Sequence, residues 1–169
     1  MAEVIVALDL PSAQDARRML DRLPTLTWAK IGPMLFVEDG PDLIADIRSR
    51  GIKIFLDLKW HDIPNSVAGA VRAAAAAGVD LATVHALGGD EMLRSAAGAS
   101  GSMRLVAVSV LTSHTPESYG RVVGRQGNGA LTDEVVRLAT MAMGAGVHGM
   151  CGYLAALAAL HDDRRASQG

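Results

Sequence analysis

The sequence predicts an α/β fold made of repeated strand–helix units and closed as a barrel. Three observations carry that expectation. Short β-branched runs alternate with amphipathic helical stretches at a repeat of about 25 residues. Charged or polar residues (Asp9, Lys30, Asp57, Lys59, His85 and Thr112) interrupt or end the strand-like runs near their C-terminal ends, where barrel enzymes assemble their sites from several strands. No Gly-x-Gly-x-x-Gly follows the first strand, which removes the main argument for an open dinucleotide-binding sheet. Alternation alone leaves both an open doubly wound sheet and a barrel; the placement of charge favours the barrel.

The elements follow in order. Val4–Leu8 (VIVAL) is a continuous apolar run of the kind buried on both faces of a parallel sheet. Ser12 is the expected N-cap of a helix that runs to Leu23 and stops at Pro24. Thr27–Ile31 is a second strand, and Leu35–Arg48 a helix closed near Gly51. Lys53–Lys59 is the third strand and Pro64–Ala77 its helix, with proline in the first turn. Leu81–Leu87 and Met103–Leu111 read as strands around a helix at Asp90–Ala97. From His114 to Leu131 the chain is rich in glycine and polar residues, and a loop this long in a compact α/β unit usually marks an active site. Gly124–Gly129 (GRQGNG) lies inside it rather than at a strand-to-helix turn. A helix at Thr132–Met143, a short sixth strand at Val147–Cys151, a last helical piece at Tyr153–Leu160 and a polar tail complete the chain.

Composition narrows the function. With 169 residues, half of them hydrophobic, the chain can bury a real core and is expected to form one domain over residues 1–169. Sixteen Lys and Arg against 18 Asp and Glu give a net charge of −2, which offers no footprint for nucleic acid or an anionic membrane and favours small-molecule chemistry. The longest uncharged apolar stretch, around Ala73–Val79, is too short to span a bilayer. A single cysteine, Cys151, and an N-terminus that runs almost directly into a strand suggest a cytoplasmic protein.

The chemistry concentrates in Asp57-Leu58-Lys59-Trp60-His61-Asp62. Side chains two apart on a strand share a face, so Asp57 and Lys59 are expected to compensate one another, with Asp62 in the following turn as a third member. Lys30 and Asp9 end the two preceding strands and would approach the same barrel mouth. Alternating signs keep each lysine protonated and each carboxylate ionised, which suits a cationic proton donor. Imine chemistry needs a neutral amine and is disfavoured. A Mg²⁺ bound by the carboxylates is the weaker alternative, because a lysine already supplies positive charge, and an ion pair that only closes the barrel end is the structural one.

Several runs together resemble the orotidine 5′-phosphate decarboxylase family, the enzymes that make UMP in pyrimidine synthesis. They are FLDLKWHDIPNSV (Phe55–Val67), VALDL (Val6–Leu10), AKIGPMLF (Ala29–Phe36), VHALGGDEM (Val84–Met92) and VSVLTS (Val108–Ser113), in the family's order from about Val4 to Gly149. Related sugar-phosphate decarboxylases and synthases share Asp-x-Lys-x-x-Asp, but not the Ile63-Pro64-Asn65 that follows here. The resemblance implies a TIM-type (β/α)8 barrel, usually a homodimer with sites at the subunit interface, and decarboxylation of a nucleotide substrate without metal or organic cofactor. By position, Lys59 would donate a proton to C6 of the pyrimidine, Asp57 would lie beside the departing carboxylate, and Asp62 of the partner subunit would join Lys30 in the charge network. Asp9, Lys30, Ile63 and Ser66 would surround the ribose or its network, with Ser66 where the family generally has threonine, and Thr112, with Ser113, would face the pyrimidine.

The resemblance also implies an incomplete barrel of about six β/α units, truncated at the C-terminus. The two further units, which carry the family's phosphate-binding Pro-Gly-Ile-Arg and Gly-Arg motifs, have no counterpart after Gly149. A phosphate grip supplies binding energy that is used at the reacting carbon, so the alternative is a non-catalytic barrel that binds or oligomerises. The remaining conspicuous residues have plainer readings. His85 is expected as a buried, hydrogen-bonded histidine, His61 as structural or as outer support of the site, Trp60 as packing, and Cys151 as a core thiol.

Overall fold

The computed structural model describes residues 3–124 and 131–152. Six strands, β1 (Val6–Ala7), β2 (Trp28–Ile31), β3 (Lys53–Trp60), β4 (Leu81–His85), β5 (Arg104–Val108) and β6 (Gly149–Cys151), form one sheet in sequential order with every neighbouring pair parallel. A doubly wound sheet reverses its strand order at a switch point; this one never does. The result is an incomplete TIM-type barrel, whose edges among the described residues are β1 and β6.

Among the described residues six α-helices, α1 (Ala13–Asp21), α2 (Pro33–Ser49), α3 (Pro64–Ala76), α4 (Gly89–Ala99), α5 (Pro116–Val123) and α6 (Leu131–Gly144), run between the strands. Local chemistry sets their starts. Ser12 caps α1 by accepting the Asp15 N–H at 3.1 Å, as its position suggested, and Glu38 of α2 accepts the Ala13 N–H at 3.1 Å. Pro33 and Pro64 occupy the first turns of α2 and α3, where a missing N–H costs nothing. Pro41 lies inside α2, and the helix kinks at Asp39, whose φ/ψ of −155°/34° is not helical.

The core lies between sheet and helices. Leu56 and Ile54 of β3, Ala82 and Val84 of β4, and Leu105 and Ala107 of β5 are buried against Val67 and Val71 of α3, Met92, Leu93 and Ala96 of α4 and Leu138 of α6. Trp28 is buried near the N-terminal ends of the strands, with Lys53 Nζ and Arg104 Cζ 5.1 and 5.6 Å from its ring centroid. Among the described residues no helix is long and apolar enough to cross a membrane.

Three expectations change. The first strand, expected over Val4–Leu8, reduces to two residues, with Val4 and Ile5 solvent-exposed, because among the described residues β1 is hydrogen-bonded only to β2. The segment expected as a continuous loop from His114 to Leu131 contains α5. A capping box between Thr115 and Ser118, Pro116 in the first turn and a left-handed Gly124 (φ 67°) delimit that helix, and Tyr119 Oη of α5 bonds Glu134 Oε1 of α6 at 3.1 Å. Cys151 is exposed rather than part of the core, because β6 is a sheet edge among the described residues. The helix expected at Tyr153–Leu160 and residues 125–129 of the glycine-rich run lie outside the described residues.

Candidate active site

The C-terminal ends of the first strands gather the charges in a line. Lys30, on β2, lies between two carboxylates, 3.2 Å from Asp9 Oδ1 and 3.6 Å from Asp57 Oδ2. Asp57, on β3, uses its other oxygen for Lys59, whose Nζ is 2.9 Å from Oδ1. The order in space is Asp9, Lys30, Asp57, Lys59, with alternating sign. The side chain of Asp57 is 14% exposed and that of Asp9 66%, so the inner carboxylate is the one whose burial the lysines must compensate.

The Asp57–Lys59 contact expected from strand alternation is present, but regular alternation does not produce it. Lys59 has a φ of 52°, the only positive value for a non-glycine residue among those described. Pairing between β3 and β4 jumps at the same place, from Leu56 opposite Ala82 to Trp60 opposite Val84. Four steps along β3 thus match two along β4, a bulge that re-aims the side chain. Thr83 of β4, fully buried, meets this distortion: its Oγ1 accepts the Lys59 N–H at 2.7 Å and lies 3.0 Å from Asp57 Oδ1. Sequence reasoning missed Thr83. The available signal was a hydroxyl in an otherwise apolar strand, two residues before a histidine that ends it.

A cleft of about 320 Å³ opens between the end of β3 and α3, a size at the low end for small-molecule sites, and Lys59, Trp60, His61, Asp62 and Ser66 line it. Lys59 is therefore common to the charge line and the cleft. Asp62 is exposed, and its Oδ1 accepts the Ile63 N–H at 2.6 Å. Among the described residues of this chain it pairs with neither lysine, so it does not complete a network with Asp57 and Lys59 within one chain. Ile63 is 66% exposed beside the cleft, and Thr112 is exposed in the turn after β5.

His85 ends β4 with its Nδ1 accepting the Leu87 N–H at 3.3 Å, which leaves the neutral ring protonated on Nε2. Its ring stacks on His61 with centroids 5.4 Å apart. Burial, then His61 and Lys59, hold its pKa below the ordinary histidine range, so it stays neutral, as a buried structural histidine should. Trp60 packs partly buried against the core, as expected. Enough protein surrounds the Cys151 thiol that desolvation pushes its pKa up; the Asp57 carboxylate adds to this, against Lys59 and Lys30. A thiol held protonated is a poor nucleophile. Among the described residues no three His, Cys, Asp or Glu side chains converge as a metal-ligand set.

The likeness of this chain to known proteins extends well beyond the charge line. A sequence model described as "Orotidine 5′-phosphate decarboxylase / HUMPS family" matches residues 2–160. An orotidine 5′-phosphate decarboxylase of Alkalilimnicola ehrlichii is 47% identical over 154 residues, 88% of this chain and 64% of that protein. The enzyme of the same name from Halorhodospira halophila is 44% identical, over 87% of this chain and 63% of its own length. The chain thus spans slightly under two thirds of both relatives. The crystal structure of an orotidine 5′-phosphate decarboxylase from Lactobacillus acidophilus superposes with a TM-score of 0.78 at 35% identity, covering 89% of this chain and 70% of that one. With a family match over residues 2–160 and relatives 44–47% identical over most of the chain, this chain belongs to the orotidine 5′-phosphate decarboxylase / HUMPS family.

Proposed function

We propose that this chain carries the proton-delivery part of a site that decarboxylates orotidine 5′-phosphate to UMP, within a single β/α domain. The observation that carries the reading is the division of Asp57 between two lysines, one oxygen to Lys30 and the other to Lys59. Lys59 is the outer member and opens on the cleft. In the reaction the bond from C6 to the carboxylate breaks, carbon dioxide leaves, and the electron pair stays on C6. The Lys59 ammonium then gives C6 a proton and recovers one from water. The step moves a proton and no net redox equivalents, so the residues it asks for are a fixed cation and its neighbours.

The electrostatic logic is preorganisation: an ammonium held by carboxylates stands where carbanion charge develops and needs no reorientation at the moment of reaction. Asp57 lies beside the substrate carboxylate in this reading, and Lys30 holds Asp57 and Asp9 apart. Asp9, Ile63, Ser66 and Thr112 surround the ribose and pyrimidine. The exposed Asp62 serves a neighbouring site across a homodimer interface. The names of the relatives and Ile63-Pro64-Asn65 support the nucleotide over a sugar phosphate as substrate.

The test is decarboxylation of orotidine 5′-phosphate by the chain and by Lys59→Ala. The variant is expected to lose at least about 10³-fold in turnover, with circular dichroism and UMP affinity unchanged. Turnover retained by Lys59→Ala would exclude Lys59 as the donor. UMP binding without turnover by the unsubstituted chain would favour the non-catalytic reading.

A further inference from the structure

We infer that Thr83 is a positioning residue for Lys59, an inference that rests on the decarboxylase reading for its catalytic meaning but on geometry alone for its structural content. Lysine in the left-handed region (φ 52°) is strained relative to ordinary strand backbone, so something must hold Lys59 there. The bulge in β3 takes its N–H out of the regular ladder with β4, and a buried N–H without an acceptor is costly. The Thr83 hydroxyl accepts that N–H at 2.7 Å. Its own proton is then free for Asp57 Oδ1 at 3.0 Å, the same oxygen that receives Lys59 Nζ at 2.9 Å.

One hydroxyl therefore ties the main chain of Lys59 to the carboxylate that pairs with its side chain. The three groups form a closed triangle, and the ammonium is fixed from both ends. Only a side chain that accepts and donates at once can sit at this corner. Valine has the same shape and the same preference for strand but can do neither. Serine can do both. Because Thr83 is fully buried, water cannot take over its role without opening the sheet.

The experiment compares Thr83→Val and Thr83→Ser with the unsubstituted chain by two readouts. The first is amide hydrogen exchange at Lys59, which needs no substrate. Thr83→Val is expected to speed exchange there by roughly fivefold to tenfold, the loss of one hydrogen bond, without a comparable change at the amides of β5. Thr83→Ser is expected to stay within about twofold of the parent. The second readout is turnover of orotidine 5′-phosphate. Thr83→Val is expected to lower kcat by about 10- to 100-fold with KM little changed, and Thr83→Ser to restore it. Unchanged Lys59 exchange in Thr83→Val overturns the inference whatever the activity. So does an acceleration of about fivefold or more at Lys59 in Thr83→Ser, a criterion that needs no valine variant and therefore decides the matter if Thr83→Val fails to fold. Accelerated exchange in Thr83→Val combined with full turnover by Lys59→Ala would leave the positioning role intact and remove only its catalytic meaning.

Discussion

Asp57 has two oxygens and three donors, and that arithmetic organises the site: Lys30 takes one oxygen, while Lys59 and Thr83 share the other. Each neighbour lies on a different strand, so a carboxylate on β3 becomes the point at which β2 and β4 are registered to Lys59. His85 shows the opposite solution, a titratable ring kept neutral behind the site. Its folded pKa lies below the ordinary value of 6.5. The unfolded chain thus binds a proton on this ring at higher pH than the folded chain does. The stability it contributes is complete above about pH 6.5 and is lost as pH falls through that value toward the folded pKa. His85→Asn keeps an acceptor for the Leu87 N–H and removes the titration. Denaturant unfolding at about pH 7.5 and about pH 5.5 should show a smaller acid loss in His85→Asn than in the parent; equal losses would show that another group is responsible.

Among the elements, β3 and α5 depart furthest from what regular patterns suggest. The apolar run of β3 was readable because buried parallel strands are continuously apolar, and Asp57 and Lys59 stood out because charge in such a run is expensive. The bulge was not readable, since it exists only in relation to the register of β4. Helix α5 was hidden for another reason: it is short and sits among glycine and polar residues. Yet its signals were local. Thr115 accepts the Ser118 N–H at 3.2 Å, the Ser118 hydroxyl accepts the Thr115 N–H at 2.9 Å, and proline opens the first turn. Thr115→Ala should therefore destabilise α5 by about 1 kcal/mol, seen as faster amide exchange across Glu117–Val123. Unchanged exchange there would mean that the Tyr119–Glu134 contact with α6, not the cap, holds the helix.

For the molecule as a whole, the placement of Asp62 matters most. Within one chain it pairs with no lysine among the described residues, yet it lines the same cleft as Lys59. In the proposed homodimer it acts in the partner's site, and this makes a complementation test possible. Lys59→Ala and Asp62→Ala, each inactive alone, should recover about a quarter of the parental activity when unfolded together and refolded as an equal mixture, because half the dimers are hybrids with one intact site of two. Recovery of nothing would place Asp62 in the same chain's site or outside the chemistry.

Read alone, the sequence determined the β/α alternation, the barrel over the open sheet, and the charged run from Asp57 to Asp62, because burial periodicity and the cost of buried charge are written in residue order. It also distinguished His85 as a buried, hydrogen-bonded ring. Tertiary structure alone decided that Lys59 sits in left-handed backbone, that Thr83 holds it there, that Lys30 bridges two carboxylates, and that Cys151 lies exposed on an edge strand. The physical reason is that each of these depends on the register between strands distant in sequence, and a hydrogen bond between residues 24 apart leaves no periodic trace in either segment.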